Sequence, residues 1–298
     1  CNSLSSNWSN VSNAHAVWAT SCPLSPSSYC SVAMANAVNI QKHMTHNKIA
    51  LVTDQKGKEH LETLNGTQYF AHIIIHNPTY TGKGPNTNHF VNTRSMRTGT
   101  NTIRLPWQNQ SRPDVYRLSP FDQTLLIDCD YFIFDNTLDE LFNTDKNILC
   151  GKHVEEIGHQ ESLIDYQRLH HQTLKLFWAT VLYFNKSKEA EMMFDIMNMV
   201  KNNWQYYSKL YKFDHSKTYR NDFAVSVALH LMQGKKETTH YDLPHKLMCL
   251  ADKHVMKTST SFYFRRSQGW AGSGIPKQNI HIMNKESAML ISEQILNG

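Results

Sequence analysis

Ser119-Pro-Phe-Asp-Gln-Thr-Leu-Leu-Ile-Asp-Cys-Asp-Tyr-Phe-Ile133 is the most informative stretch of this 298-residue sequence. Its centre, Leu125 to Ile127, is an unbroken apolar run, as expected of a strand buried on both faces of a parallel sheet. The run ends in two acids, Asp128 and Asp130. Side chains alternate along a strand, so the pattern predicts both carboxylates on one face, about 7 Å apart. Acids at the exit of a buried strand are costly unless a cation or hydrogen bonds satisfy them. Hard divalent ions such as Mn²⁺ and Mg²⁺ favour oxygen ligands and complete their shells with phosphates. The carboxyl edge of an open α/β sheet is also where ligands bind. An isolated Asp-x-Asp fits a solvated turn equally well. Here an apolar strand precedes it, and Asp139-Glu-Leu-Phe142 follows where a capped helix should begin, which favours a site.

Upstream, the spacing predicts a strand over His15–Thr20, a Ser/Pro-rich loop over Ser21–Ser28 and a helix from about Tyr29 to about Met44. Strands follow at Lys48–Asp54 and His72–Ile75. Strand, helix and strand with short links make a βαβ unit and hence a parallel sheet. Asp54 closes its strand at the carboxyl edge, where nucleoside contact and a plain turn are both open to it. Residues His76–Gln110, rich in Thr, Asn, Gly and Arg, read as a long loop or insertion. Downstream come a helix from about Gln160 to Lys175, a strand over Phe177–Phe184 and a helix capped by Ser187 that runs to about Tyr211. The stripe Met193, Phe194, Met197, Val200, Trp204 and Tyr207 of that helix reads as core. Asn221 and Asp222 open a further helix stopped by Gly234, and a final helix follows His281-Ile-Met-Asn-Lys285.

The chain is long enough to bury a sizeable core. With 40% hydrophobic and 18% charged residues, it reads as an ordinary globular protein. No apolar run approaches the roughly 20 residues that cross a bilayer, and no signal peptide is evident, so the expectation is a cytoplasmic protein without membrane contact. Six scattered Cys without a CxxC pair indicate neither a zinc module nor a disulfide scaffold. The net charge of +5 suits a phosphate-bearing ligand but falls short of a dedicated nucleic-acid binder. Arg94, Arg97, Arg104, Arg112 and Arg117 form a basic series that either grips a polyanion or is simply a solvated loop.

The stretch Leu118 to Phe142, "LSPFDQTLLIDCDYFIFDNTLDELF", resembles the metal-binding strand and turn of the glycogenin-like, nucleotide-sugar glycosyltransferases of the GT-A fold. His15–Thr20, Lys48–Asp54 and Phe177–Asn185 fall in the order of that family's strands. The general look is similar to divergent phage-encoded members. The resemblance implies a single α/β domain over 1–298 with a central, mostly parallel sheet flanked by helices. Its nucleotide-binding half would span about 13–135 and its acceptor and metal-closing half about 136–298. It implies an enzyme that transfers a sugar, with retention of configuration, from a nucleotide diphosphate (a UDP-sugar first) using Mn²⁺ or Mg²⁺. Asp128, Asp130 and His281 would hold the metal and Lys285 would contact the diphosphate. Thr20 and Asp54 would line the nucleotide, and Tyr29 would stack on its base. Asp222, placed by position alone, is the candidate catalytic or acceptor-side carboxylate; an acid that only complements its helix dipole is the equal alternative.

Two other readings stand beside this one. The positive charge and the phage-like look fit a glycosyltransferase that modifies hydroxymethylated DNA. A basic nucleic-acid-binding protein without catalysis would need aromatics on strands beside Lys and Arg, whereas Trp204, Tyr206 and Tyr207 are expected on a helix.

Overall fold

A computed structural model describes residues 29–76, 111–156, 174–212, 219–234, 236, 239–250 and 277–298 fully. It describes the backbone alone of 15–20, 26–28, 93–98, 101–106, 161–162, 255–258, 261–264 and 275–276. The first half runs β1 (His15–Thr20), α1 (Pro26–His43), β2 (Lys48–Thr53), α2 (Gln55–Thr63) and β3 (His72–Ile75). A hairpin of β4 (Thr93–Thr98) and β5 (Asn101–Pro106) precedes α3 (Val115–Leu118), β6 (Gln123–Asp128) and β7 (Tyr131–Phe132). Next come β8 (Ile148–Gly151), β9 (Val154–Glu156), β10 (Glu161–Ser162) and β11 (Trp178–Asn185). Helices α4 (Lys188–Asn202), α5 (Trp204–Leu210) and α6 (Asn221–Met232) follow. The chain continues through β12 (Leu247–Leu250), β13 (Val255–Thr258), β14 (Ser261–Phe264), β15 (Ile275–Pro276), β16 (Ile280–Ile282) and α7 (Lys285–Leu296).

The main sheet has six strands in the order β3-β2-β1-β6-β11-β8. Its first four are mutually parallel, while β11 runs antiparallel to both β6 and β8. The expected strands at Lys48 and Leu125 therefore lie parallel in one sheet, with β1 between them. A second sheet, β10-β9-β12-β16-β7, mixes both directions, so the α/β architecture has mixed sheets rather than one parallel sheet.

Strand alternation divides the core. Ala50, Val52, Leu126, Leu182 and Phe184 face the apolar sides of α4 and α6. Their alternates Ile49, Leu51, Leu125, Ile127, Val181 and Tyr183 pack with Ala33, Met34, Ala37 and Ile40 of α1. Helix α7 covers the second sheet with Ala288 and Ile291, against Phe132, Leu250, Ile280 and Ile282.

Several expectations need correction. Pro at a helix start costs no hydrogen bond, and α1 begins at Pro26, inside the stretch expected to be loop; 21–25 lie outside the described residues. The Arg-rich stretch expected to be a loop contains the β4–β5 hairpin. Of the helix expected over 160–175, residues 161–162 are paired strand and 174–175 are not helical; 163–173 lie outside the described residues. The long helix breaks at Asn203, although its stripe from Met193 to Trp204 is buried as expected. Asp139 to Phe142 lies in a 3-10 helix, Thr137–Asn143, rather than an α-helix. Gly234 ends the last helix of the middle region with φ +62, in the left-handed region that favours glycine.

Phe194 tests this core. Its ring lies 4.9 Å from Phe184 and 5.8 Å from Tyr116 between centroids. Phe194→Ala should lower unfolding free energy by about 3–5 kcal/mol, read as a shifted denaturant midpoint.

Candidate metal centre

Helix and strand registers bring distant residues to the end of β6. Since β1, β2 and β6 are parallel, their carboxyl ends share one edge, and Thr20 of β1 is in register with Val52 and Asp128. Strand β6 stops at Asp128, and Cys129–Asp130 form a turn into β7. The alternation predicted for the two acids thus does not hold to the end: Asp130 reaches the site from a turn. There its carbonyl accepts from Ile282 N of β16 at 2.9 Å. Strand β16 carries His281, in register with Tyr131 of β7. His281 Nε2 lies 3.1 Å from Asp130 Oδ1, and its ring packs on Trp178 with centroids 5.1 Å apart.

Asp128, Asp130 and His281 each present one ligand atom, all within 4.8 Å of one another, a spacing able to hold a metal ion. His281 is buried, and its Nδ1 finds no hydrogen-bond partner among the described residues.

Arg112 was not legible as part of this site. In the sequence it sits in a basic series, yet here it is among the largest fully buried side chains. Arg112 opens a 3-10 turn, Arg112–Asp114, that lies under the end of β6, where its Nη2 donates to Asp128 Oδ1. Its Nε and Nη1 have no hydrogen-bond partner among the described residues. Thr180 of β11, 3% exposed, adds a side-chain hydrogen bond to Asp128. Neither residue belongs to a local motif; only the fold brings them to Asp128. Arg117 forms a solvated pair with Asp195 at 2.9 Å, so of the five arginines read as a polyanion grip or a solvated loop, one is buried against an acid and one pairs with an acid at the surface.

The charges are coupled. Burial and the nearby Asp130 push the Asp128 carboxyl above its ordinary range, with Arg112 acting against them. Burial also disfavours ionised Asp130, but the charge and hydrogen bond of His281 outweigh it and hold this carboxyl low. For His281 burial acts downward, and the attraction of Asp130 prevails to raise it above its ordinary 6.5.

Asp222 stands in the first turn of α6, one oxygen accepting from Ala179 N at 2.9 Å and the other from Arg220 at 3.0 Å. It braces the start of β11 beside Thr180, and its charge contributes to raising His281. Asp54 caps α2, accepting from Gly57 N at 2.7 Å. Cys30 Sγ lies 3.5 Å from Gly57 O, which sets that turn against the start of α1. The Lys285 Nζ lies 5.2 Å from the centroid of the Tyr29 ring, so these two are neighbours, and Lys285 is exposed at the first position of α7. Side-chain contacts of Thr20 lie outside the described residues.

No family model and no curated protein matches the chain. Among solved structures, it is similar to a galactosyltransferase, LgtC, in complex with donor and acceptor sugar analogues. The two are 15% identical over 72% of this chain and 70% of that one, with a TM-score of 0.41. It is also similar to mouse xyloside xylosyltransferase 1 (11% identity, 75% of this chain, 83% of that one, TM-score 0.43). The glycosyltransferase GlyE of Streptococcus pneumoniae is a third case (13% identity, 78% of this chain, 46% of that one, TM-score 0.39).

Two outcomes follow from the charges. Arg112→Met should cost about 3 kcal/mol, because it leaves an acid uncompensated, and adding Asp128→Asn should recover part of the loss in urea melts. The Asp130–His281 pair should also leave a pH signature in metal-free protein. Because His281 is raised on folding, its contribution is complete below pH 6.5 and fades as pH rises through the folded value. The stability gap between wild type and His281→Gln should therefore be larger at about pH 6 than at about pH 9, measured in chelator.

Proposed function

We propose that the chain is a metal-dependent glycosyltransferase of GT-A-like fold, one domain over 1–298. It would take its sugar from a nucleotide diphosphate, first a UDP-sugar, and pass it to an acceptor hydroxyl. The observation that carries this reading is the convergence of Asp128, Asp130 and His281 within 4.8 Å at the edge where parallel strands end. Two carboxylates and an imidazole form a donor set suited to Mn²⁺ or Mg²⁺, and the unpartnered Nδ1 of His281 fits a ring built for more than packing. A bound metal would neutralise charge on the departing diphosphate.

The chain's own groups fit that chemistry. Arg112 supplies a fixed, buried cation behind Asp128, which adds positive potential where an anionic donor would sit. Lys285 sits at the start of α7, where the helix dipole disfavours a cation by about 0.3–1 kcal/mol. An anionic diphosphate would offset that cost. Tyr29 and Lys285 would bracket the nucleotide, with Thr20 and Asp54 beside it. Asp222 would act through its hold on β11 and its charge near His281; a retaining course requires no carboxylate base. Divergent, phage-like character and a cytoplasmic setting remain sequence expectations; among the described residues no helix is long and apolar enough to cross a membrane. Burial of Arg112 against Asp128 removes one cation from the basic series offered to a DNA acceptor.

Hydrolysis of UDP- and GDP-sugars with Mn²⁺ tests the reading. Wild type should release nucleotide from one donor, and Asp128→Asn or Asp130→Asn should lose at least about 100-fold while staying folded, as expected when a metal ligand is removed. Donor turnover that persists unchanged in both variants, or in chelator, would contradict the metal. Mn²⁺ affinity should fall as pH drops through the raised His281 value, because the metal competes with its proton.

A further inference from the structure

Asn36 lies in the middle of α1 among Val32, Ala33, Ala35, Ala37 and Ile40, and is itself fully buried. An asparagine there is unfavourable twice over: it is a weaker helix former than Ala, and burying an amide is costly unless it is hydrogen-bonded. The amide is bonded, and all its partners lie in one turn. Its Nδ2 donates to Tyr131 O at 2.7 Å and to Cys129 O at 3.4 Å, and its Oδ1 accepts from Ile133 N at 3.0 Å. These groups flank Asp130 on both sides, just where β6 has ended and the ladder of β7 has barely begun.

We propose that Asn36 is a positioning residue for Asp130, fixing from α1 the turn that presents this carboxylate to His281. The proposal rests on the metal reading of the Asp128–Asp130–His281 cluster. The turn has other tethers, among them the pairing of Tyr131 with His281 and of Phe132 with Ile280. Ile282 N donates to Asp130 O on the β16 side, and Asn279 Oδ1 accepts from Phe134 N at 2.7 Å and Asp135 N at 3.1 Å farther along. Asn36 reaches both neighbours of Asp130 at once. Without it, the turn would keep the Ile282 bond and the β7–β16 pairing but lose its link to α1, which fixes the distance from Asp130 to His281. Helix α1 also carries Tyr29, so one rigid element would set both the metal ligand and the proposed nucleotide contact.

Hydrogen exchange and Mn²⁺ binding test this together. In wild-type protein without metal, the Ile133 and Ile282 amides should be protected like those of β6; free exchange at Ile133 overturns the clamp without any variant. In Asn36→Ala both amides should exchange faster while β2 amides stay protected, and acceleration confined to Ile133 also overturns it. Mn²⁺ affinity, followed by the free-ion electron paramagnetic resonance signal, should fall about 10- to 100-fold, the range for losing a group that orients a ligand. Ser292→Ala, which removes a buried hydroxyl bonded within its own helix to Ala288 O, should leave that affinity unchanged. Wild-type affinity in folded Asn36→Ala contradicts the proposal. Should Asn36→Ala fail to fold, Asn36→Ser retains one short polar group and should show the same losses in smaller degree; unchanged Mn²⁺ affinity there contradicts it equally. Absence of Mn²⁺ binding by wild type would instead refute the metal reading, with the exchange data still deciding whether the turn is clamped.

Discussion

Two carboxylates at the mouth of a strand buried on both faces must be compensated, and much of the molecule is arranged to do it. Asp128 meets Arg112, brought from sixteen residues upstream. Asp130 meets His281, brought from the far end of the chain. Neither cation can be supplied locally, because the residues flanking the acids, Leu125 to Ile127 and Tyr131 to Ile133, are all buried apolar side chains. The second sheet exists at this point of the fold to deliver β16 to β7, and with it the imidazole.

The pairing has a chemical consequence. Without metal, Asp130 and His281 favour each other's charged forms against the cost of burial. A cation binding the ring nitrogen competes with its proton, which couples occupancy to pH. Arg112 is different in kind, since a guanidinium does not give up its proton. It offers permanent charge beside Asp128 and unpartnered donors among the described residues.

The parts of this arrangement that were legible in the sequence are those encoded locally. The apolar run before Asp128 gave the strand, the stripe from Met193 to Trp204 gave the helix packed on it, and Gly234 gave a stop. His281 and Lys285 entered through a family resemblance, and the structure sets one beside Asp130 and the other over Tyr29. What could not be read were the contacts made across the fold. Arg112 looks in the sequence like other arginines of a basic segment; only the 3-10 turn at Pro113 buries it. Thr180 and Asn36 occupy apolar runs in which one polar residue is unremarkable until its partners are known. The turn at Asp130 ended the alternation early, because the chain must reverse there to pair with β16. A β-hairpin was missed in the Arg-rich segment because its apolar residues, Met96, Ile103 and Leu105, are too few among Thr, Arg, Ser and Asn to give a clear period of two.

In the proposed function one divalent cation would sit between Asp128, Asp130 and His281 and meet the diphosphate of a nucleotide donor. Crystals grown with Mn²⁺ and UDP, measured at the manganese edge, test it most directly. The account predicts one strong anomalous peak coordinated by these three side chains and by the diphosphate, with Arg112 or Lys285 on the phosphate oxygens. Nucleotide bound elsewhere, or a peak lacking any contact to Asp128 and Asp130, would contradict it.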